Sequence, residues 1–189
     1  PINAGVRIIN LPADNSDQVV GVKRITSGKD VMLITKKGQA IKFSSDDVRD
    51  MGRASYGVTG IKMEDKDEVV SLEIINDKES SILTITEKGY GKRSKTEDYR
   101  KTRRAGKGVI NLKINDKTGD VVDTIDVSDK DKFVVSTKKG IIIRTNVKNI
   151  RVMGRATSGV RIIKLEYGDI VSAIAKLIED EIKIEEGKE

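Results

Sequence analysis

The chain contains no cysteine and no histidine. Without cysteine it has no disulfide, no thiolate zinc site and no thiol nucleophile. Without histidine it has no Ser-His triad, no imidazole base near neutral pH and no histidine metal ligand. Tryptophan is also missing and aromatics make up only 3% of residues. That argues against the stacking platforms on which single-stranded nucleic acids are usually held. No apolar run approaches the ~20 residues that a membrane span requires, and no signal-peptide pattern opens the chain. These features lead us to expect a cytoplasmic protein with no membrane partner. The chain begins with Pro1 rather than Met, which reads as a piece of something longer.

What is present is β-branched and charged. Of 189 residues, 35% are charged, yet isoleucine (25) and valine (19) supply nearly a quarter. Disordered chains lack such residues, so a folded chain of β character is expected. The length fits one domain or two small ones.

A repeat decides the organisation. Thr35-Lys36-Lys37-Gly38 recurs as Thr86-Glu87-Lys88-Gly89 and as Thr137-Lys138-Lys139-Gly140, each 51 residues on. Gly57-Val58, Gly108-Val109 and Gly159-Val160 keep that step, as do Arg53-Ala54, Arg104-Ala105 and Arg155-Ala156. Asp67, Asp120 and Asp169 open the last segment of each copy. Three full repeats over residues 31–76, 81–127 and 131–177 follow a partial one over about 1–25. Within the first full copy the pattern predicts four strands: Val31–Thr35, Gln39–Phe43, Val58–Met63 and Val69–Ile75. Four short antiparallel strands at this period indicate propeller blades. The expected fold is therefore an all-β, propeller-like partial disc forming an open arc, within a domain over residues 1–177. Residues 178–189 are expected to be a solvated acidic tail without a function of its own.

The excess of positive charge is local. From Thr86 to Lys113 ten basic residues face only Glu87, Glu97 and Asp98, whereas the whole chain carries +6. Five slots are basic in every full copy: Lys37/Lys88/Lys139, Lys42/Arg93/Arg144, Arg49/Arg100/Arg151, Arg53/Arg104/Arg155 and Lys62/Lys113/Lys164. Arranged around an axis, each slot becomes an arc of like charge whose repulsion a polyanion would relieve. A curved basic rim can follow the phosphates of duplex DNA without reading bases. A basic arc can equally dock an acidic protein. No catalytic constellation emerges. Gly106-Lys107-Gly108 lacks the rest of a phosphate-binding loop and has turn glycines as its counterparts. Tyr99 occupies a slot that is Val48 and Ile150 in the other copies, so it reads as a packing residue.

Gly89-Tyr90-Gly91-Lys92-Arg93, followed by Tyr99-Arg100-Lys101-Thr102-Arg103-Arg104-Ala105-Gly106-Lys107-Gly108-Val109-Ile110, closely resembles the C-terminal domain of the DNA gyrase A subunit. Val48-Arg49-Asp50-Met51-Gly52-Arg53 with Gly57-Val58-Thr59-Gly60-Ile61 fits a neighbouring family repeat, and Val152-Met153-Gly154-Arg155 with Ser158-Gly159-Val160 fits the last. The resemblance covers the chain to about Leu177. The chain is similar, more distantly, to the topoisomerase IV A subunit.

The resemblance implies a β-pinwheel, a disc whose blades exchange a strand with their neighbours, here the end of the third blade through the sixth. It implies that basic residues on the outer rim bend duplex DNA non-specifically in support of negative supercoiling. On this chain those candidates are Lys42, Arg49, Arg53, Lys92, Arg93, Arg100, Arg103, Arg104, Lys107, Arg144, Arg151 and Arg155. It further implies partnership with the gyrase A N-terminal core and the gyrase B subunit. The ATP and Mg used by that holoenzyme lie outside this chain, which itself needs no cofactor, binds no metal and has no activity alone. The family's gyrase box, Gln-Arg-Arg-Gly-Gly-Lys-Gly, is not found. The nearest string, Thr102 to Gly108, lacks the Gln and one Gly, so the box's role is not carried onto it.

Overall fold

The structure, a computed structural model, describes residues 5–177 except 15, 76 and 78; the acidic tail 178–189 lies outside the described residues. Three hairpins recur: β1 (Asp30–Thr35) with β2 (Gln39–Ser44), β4 (Ser81–Thr86) with β5 (Tyr90–Lys95), and β8 (Lys132–Thr137) with β9 (Ile142–Asn146). The recurring Thr-x-x-Gly closes each one. In the first, Gly38 takes the left-handed φ of +81° and its N–H donates to Thr35 O at 3.0 Å, while Thr35 Oγ1 accepts from Gln39 N at 3.1 Å. A positive φ without strain requires glycine, and the threonine hydroxyl satisfies the first amide of the returning strand.

The fourth strand of each repeat, β3 (Val69–Ile75), β7 (Val121–Val127) or β11 (Val171–Leu177), pairs with the first strand of its own hairpin. These three strands lie side by side at the inner end of the blades. Ser71 Oγ donates to Thr124 O at 3.2 Å and Thr124 Oγ1 donates to Ser71 Oγ at 2.9 Å, tying β3 to β7.

The third strand leaves its own blade. β6 (Val109–Ile110) pairs with β2 of the preceding repeat, Val109 opposite Ala40, and β10 (Val160–Arg161) pairs with β5, Val160 opposite Gly91. The sheet orders are therefore β3-β1-β2-β6, β10-β5-β4-β7 and β11-β8-β9. This is the strand exchange that the resemblance implied. The donated strand sits at the outer edge and runs very close to its acceptor: a Cβ on Gly108 would lie 2.4 Å from Ala40 O.

Two expectations are corrected. Val58–Met63 is not a strand; Ile61 makes only an isolated parallel bridge to Gly106. Its acceptor would be a hairpin of the preceding repeat, and the described residues before Asp30 form none. The third blade, expected to have four strands, has three, because no donated strand reaches β9 among the described residues.

Apolar side chains pack between the blades as well as within them. Met32, Ile34, Ala40 and Ile75 of the first blade meet Ile82, Tyr99, Leu112 and Val121. Leu83, Ile85 and Ile125 of the second meet Phe133, Val135, Val147 and Val171. Tyr99 is buried and its hydroxyl donates to Asn111 Oδ1 at 2.5 Å, so it packs as expected.

Candidate nucleic-acid interface

After each hairpin a polar connection, opened by a 3-10 turn at Ser45–Asp47, Thr96–Asp98 or Val147–Asn149, leads toward the donated strand. The second and third connections run from one blade to the outer edge of the one before. Along the way Ala105 N–H donates to Gly60 O at 2.6 Å and Lys62 N–H to Gly106 O at 2.9 Å. The connections therefore line the outer rim at each seam.

The basic slots separate into three kinds there. Arg49, Arg100 and Arg151 are exposed in all three copies, as are Lys62, Lys113 and Lys164. Arg103 and Lys107 are exposed on the second connection, beside the exposed Lys101, which pairs with Asp30 at 2.6 Å. The lysines after the donated strand were not among the expected contacts; their only sequence signal is that their slot is basic in every copy.

A second kind staples seams. Arg104 donates from Nη1 to Thr59 O at 3.0 Å and from Nε to Asp47 O at 3.1 Å; Arg155 Nη1 donates to Ile110 O, the repeat equivalent, at 3.0 Å. Both are half-buried. Arg53 is exposed, although the preceding partial repeat meets its connection where Asn10 N–H donates to Ser55 O at 3.0 Å.

The third kind is interior and corrects the expectation of a rim position. Lys92 has 0% exposure; its Nζ donates to Gly154 O at 2.7 Å and to Arg155 O. Burial foremost, with the Arg155 charge second, pushes its pKa down to about 7. Arg93 is 5% exposed; it donates from Nε to Ile150 O at 2.7 Å and ion-pairs with Asp129. Lys42, half-buried, donates to Thr96 O at 2.7 Å, and burial lowers its pKa. Each of the three is covered by the following connection, and their donors are taken up by its carbonyls. Arg144 shares the slot of Lys42 and Arg93 but is exposed, because the connection of a further blade does not cover it among the described residues.

The inner end has the opposite character. Glu73 is buried against Lys23 at 3.2 Å, and burial raises the pKa of both Glu73 and Asp123. Among the described residues no group of three or more acidic side chains is placed to hold a metal, and no helix is long and apolar enough to cross a membrane.

The sequence matches the family description "DNA gyrase C-terminal domain, beta-propeller" over residues 2–26, 29–76, 80–128 and 131–176, one match per repeat. It is 41% identical to the DNA gyrase A subunit of Salmonella typhimurium over 180 residues, covering 95% of this chain and 20% of that protein. It is 38% identical to the DNA gyrase A subunit of Chlamydia muridarum over 179 residues, covering 94% and 21%. The chain thus spans about a fifth of the length of these relatives. A solved DNA gyrase A C-terminal domain superposes with a TM-score of 0.86 at 29% identity, covering 92% of this chain and 58% of that one. A C-terminal domain of DNA topoisomerase IV superposes at 0.83 with 29% identity, covering 90% and 52%. Repeat, exchanged strands and fold agree, and the chain belongs to the DNA gyrase C-terminal domain family.

Proposed function

We propose that this chain binds and bends duplex DNA along its outer rim, as part of a cytoplasmic gyrase A protein. The observation that carries the reading is the row of exposed cations at the seams, Arg49, Arg100 and Arg151 with Lys62, Lys113 and Lys164, joined by Arg103 and Lys107. Their guanidinium and ammonium groups project from connections held at regular steps by backbone bonds, a spacing suited to phosphates and not to base edges. Bending 20–30 bp costs about 1–6 kcal/mol, so several such contacts act together.

In this reading the chain performs no bond chemistry and needs no cofactor. Strand cleavage and ATP hydrolysis, with Mg, belong to the gyrase A N-terminal core and the gyrase B subunit, its partners in the holoenzyme. The topoisomerase IV relative is the second reading, and the regular 51-residue step favours gyrase over it.

The test is duplex binding across a salt series, for wild type and an Arg100→Ala/Arg103→Ala/Lys107→Ala variant. The slope of log affinity against log salt should flatten by about three units. Binding that persists with an unchanged slope would sink the reading. An acidic protein retained at salt that strips DNA would instead favour a protein-docking rim.

A further inference from the structure

Lys92 is a cation folded into the seam between the second and third blades. It stands on β5 opposite Thr84 of β4, and the third connection closes over it at Gly154 and Arg155. Its slot is Ile41 in the first copy and Ile143 in the third, and Ile41 is buried there in the same way. An apolar side chain is therefore enough to fill the place. The second copy puts an amine there instead, and its bonds go to carbonyl oxygens, which do not cancel a charge.

Burial foremost favours the free amine; Arg155 on the covering connection repels an ammonium, and Asp98 of the 3-10 turn attracts it. On its own strand Arg93 is paired with Asp129. β4 brings the neutral Thr84, and the Nη2 of Arg161 on β10 donates to the Tyr90 hydroxyl at 2.9 Å. Tyr99 stays protonated through the neutral range, since burial raises its pKa. Lys42, half-buried at the first seam, has the charge of Asp30 to support its own. A buried amine that donates to carbonyls and faces an arginine is held neutral until its surroundings turn more negative. Above it the same connection exposes Arg151, and the neighbouring one exposes Arg103 and Lys107. Phosphates laid along these cations supply that change.

Resting on the DNA-binding reading above, we infer that Lys92 is a positioning residue whose ammonium forms as the duplex binds. The amine takes one proton from the buffer, and no other bond forms or breaks. An ionised donor makes roughly twice as strong a hydrogen bond as a neutral one. The proton therefore tightens the hold on Gly154 and Arg155 and firms the connection that presents Arg151. By linkage, a proton that DNA helps to bind must help DNA to bind, so lower pH tightens the complex. The chain has no histidine to mask this in the neutral range.

The test is calorimetric titration of the whole chain with linear duplex DNA at about pH 7.5, in two buffers of different ionisation heat and one salt concentration. Wild type should take up part of one proton per chain, seen as a binding heat that differs between the buffers. Its affinity should fall by up to about tenfold from about pH 6 to about pH 9. Lys92→Met should show neither; the α-amino group is common to both proteins and cancels in the comparison. If that variant melts poorly, Lys92→Ile replaces it, carrying the residue of the first and third copies. Wild type also answers without a variant: the Lys92 ¹³Cε resonance should titrate at about 7 in the free chain and higher with DNA. No DNA binding at all would overturn the DNA reading and this inference together. Binding with buffer-independent heats, equal uptake in both proteins, or a Lys92 resonance that DNA does not move would overturn the inference and leave the DNA reading standing.

Discussion

Lys92 Nζ donates to Gly154 O at 2.7 Å, so a cation of the second hairpin fastens the connection that carries the exposed Arg151. The fastening is costly as an ammonium, since burial pushes its pKa from 10.5 down to about 7. Between those values the unfolded chain holds a proton that the folded chain has released. Stability should therefore rise with pH from about 7 upward. Buried Tyr99 opposes this beyond its ordinary 10.0, because burial raises its pKa and the unfolded chain loses that proton first. Urea melts from pH 7 to 10 should show the rise in wild type and a flatter profile in Lys92→Met. Parallel profiles would place Lys92 in water.

The inner carboxylates predict the reverse sign. Burial raises Glu73 above 4.5, with Lys23 only partly offsetting it. Above 4.5 the unfolded chain releases a proton that the folded chain retains, so stability from this group falls as pH rises to the folded pKa. Glu73→Gln should melt higher than wild type at neutral pH and lose part of the gain on acidification. A lower melting temperature at neutral pH would mean that the Lys23 pair outweighs the burial cost.

The rim itself makes a contrast between neighbours. Removing Arg100 should leave folding within about 0.5 kcal/mol, as for most surface changes, and flatten the salt slope of DNA binding by about one unit. Removing Arg93 leaves Asp129 and the Ile150 carbonyl without their partner. Its main effect should be a loss of about 1–3 kcal/mol in stability, with the slope retained. Equal slopes lost at both sites would show that Arg93 also reaches phosphate.

Much of this was legible in the repeat. The hairpins and fourth strands follow from Thr-x-x-Gly and the apolar runs, and β3 begins and ends where the pattern places it. The missing strand at Val58–Met63 was not, because pattern reports what a segment can pair as and not whether its acceptor exists. Lys92 carried a usable signal: its slot is Ile41 and Ile143 in the other copies, the same reasoning that identified Tyr99 as packing. Arg93 carried none, since Lys42 and Arg144 share its charge and only the covering connection separates a buried cation from an exposed one. The seam staples Arg104 and Arg155 were hidden for the same reason: their acceptors lie 45 residues earlier in the chain.

Strand exchange can be probed through two glycines of one slot. Gly57 and Gly108 share nearly the same positive φ, +76° and +74°. Alanine at either costs about 1–2 kcal/mol for the left-handed backbone. At Gly108 the new methyl also meets Ala40 O at 2.4 Å and the adjoining backbone carbon at 2.9 Å, atoms of the acceptor strand that cannot swing aside. The donated Val109–Ile110 pair must then lift from β2, opening the seam over Ile41. Gly108→Ala should cost about 2–4 kcal/mol in urea unfolding, as other overpacked sites do. Gly57→Ala should cost only the backbone share. Hydrogen exchange at Gln39 to Ile41 should quicken in the first variant and not in the second. Equal costs with unchanged exchange would mean that the donated strand leaves room for a methyl group, and that the exchanged strand adds little to holding the first two blades together.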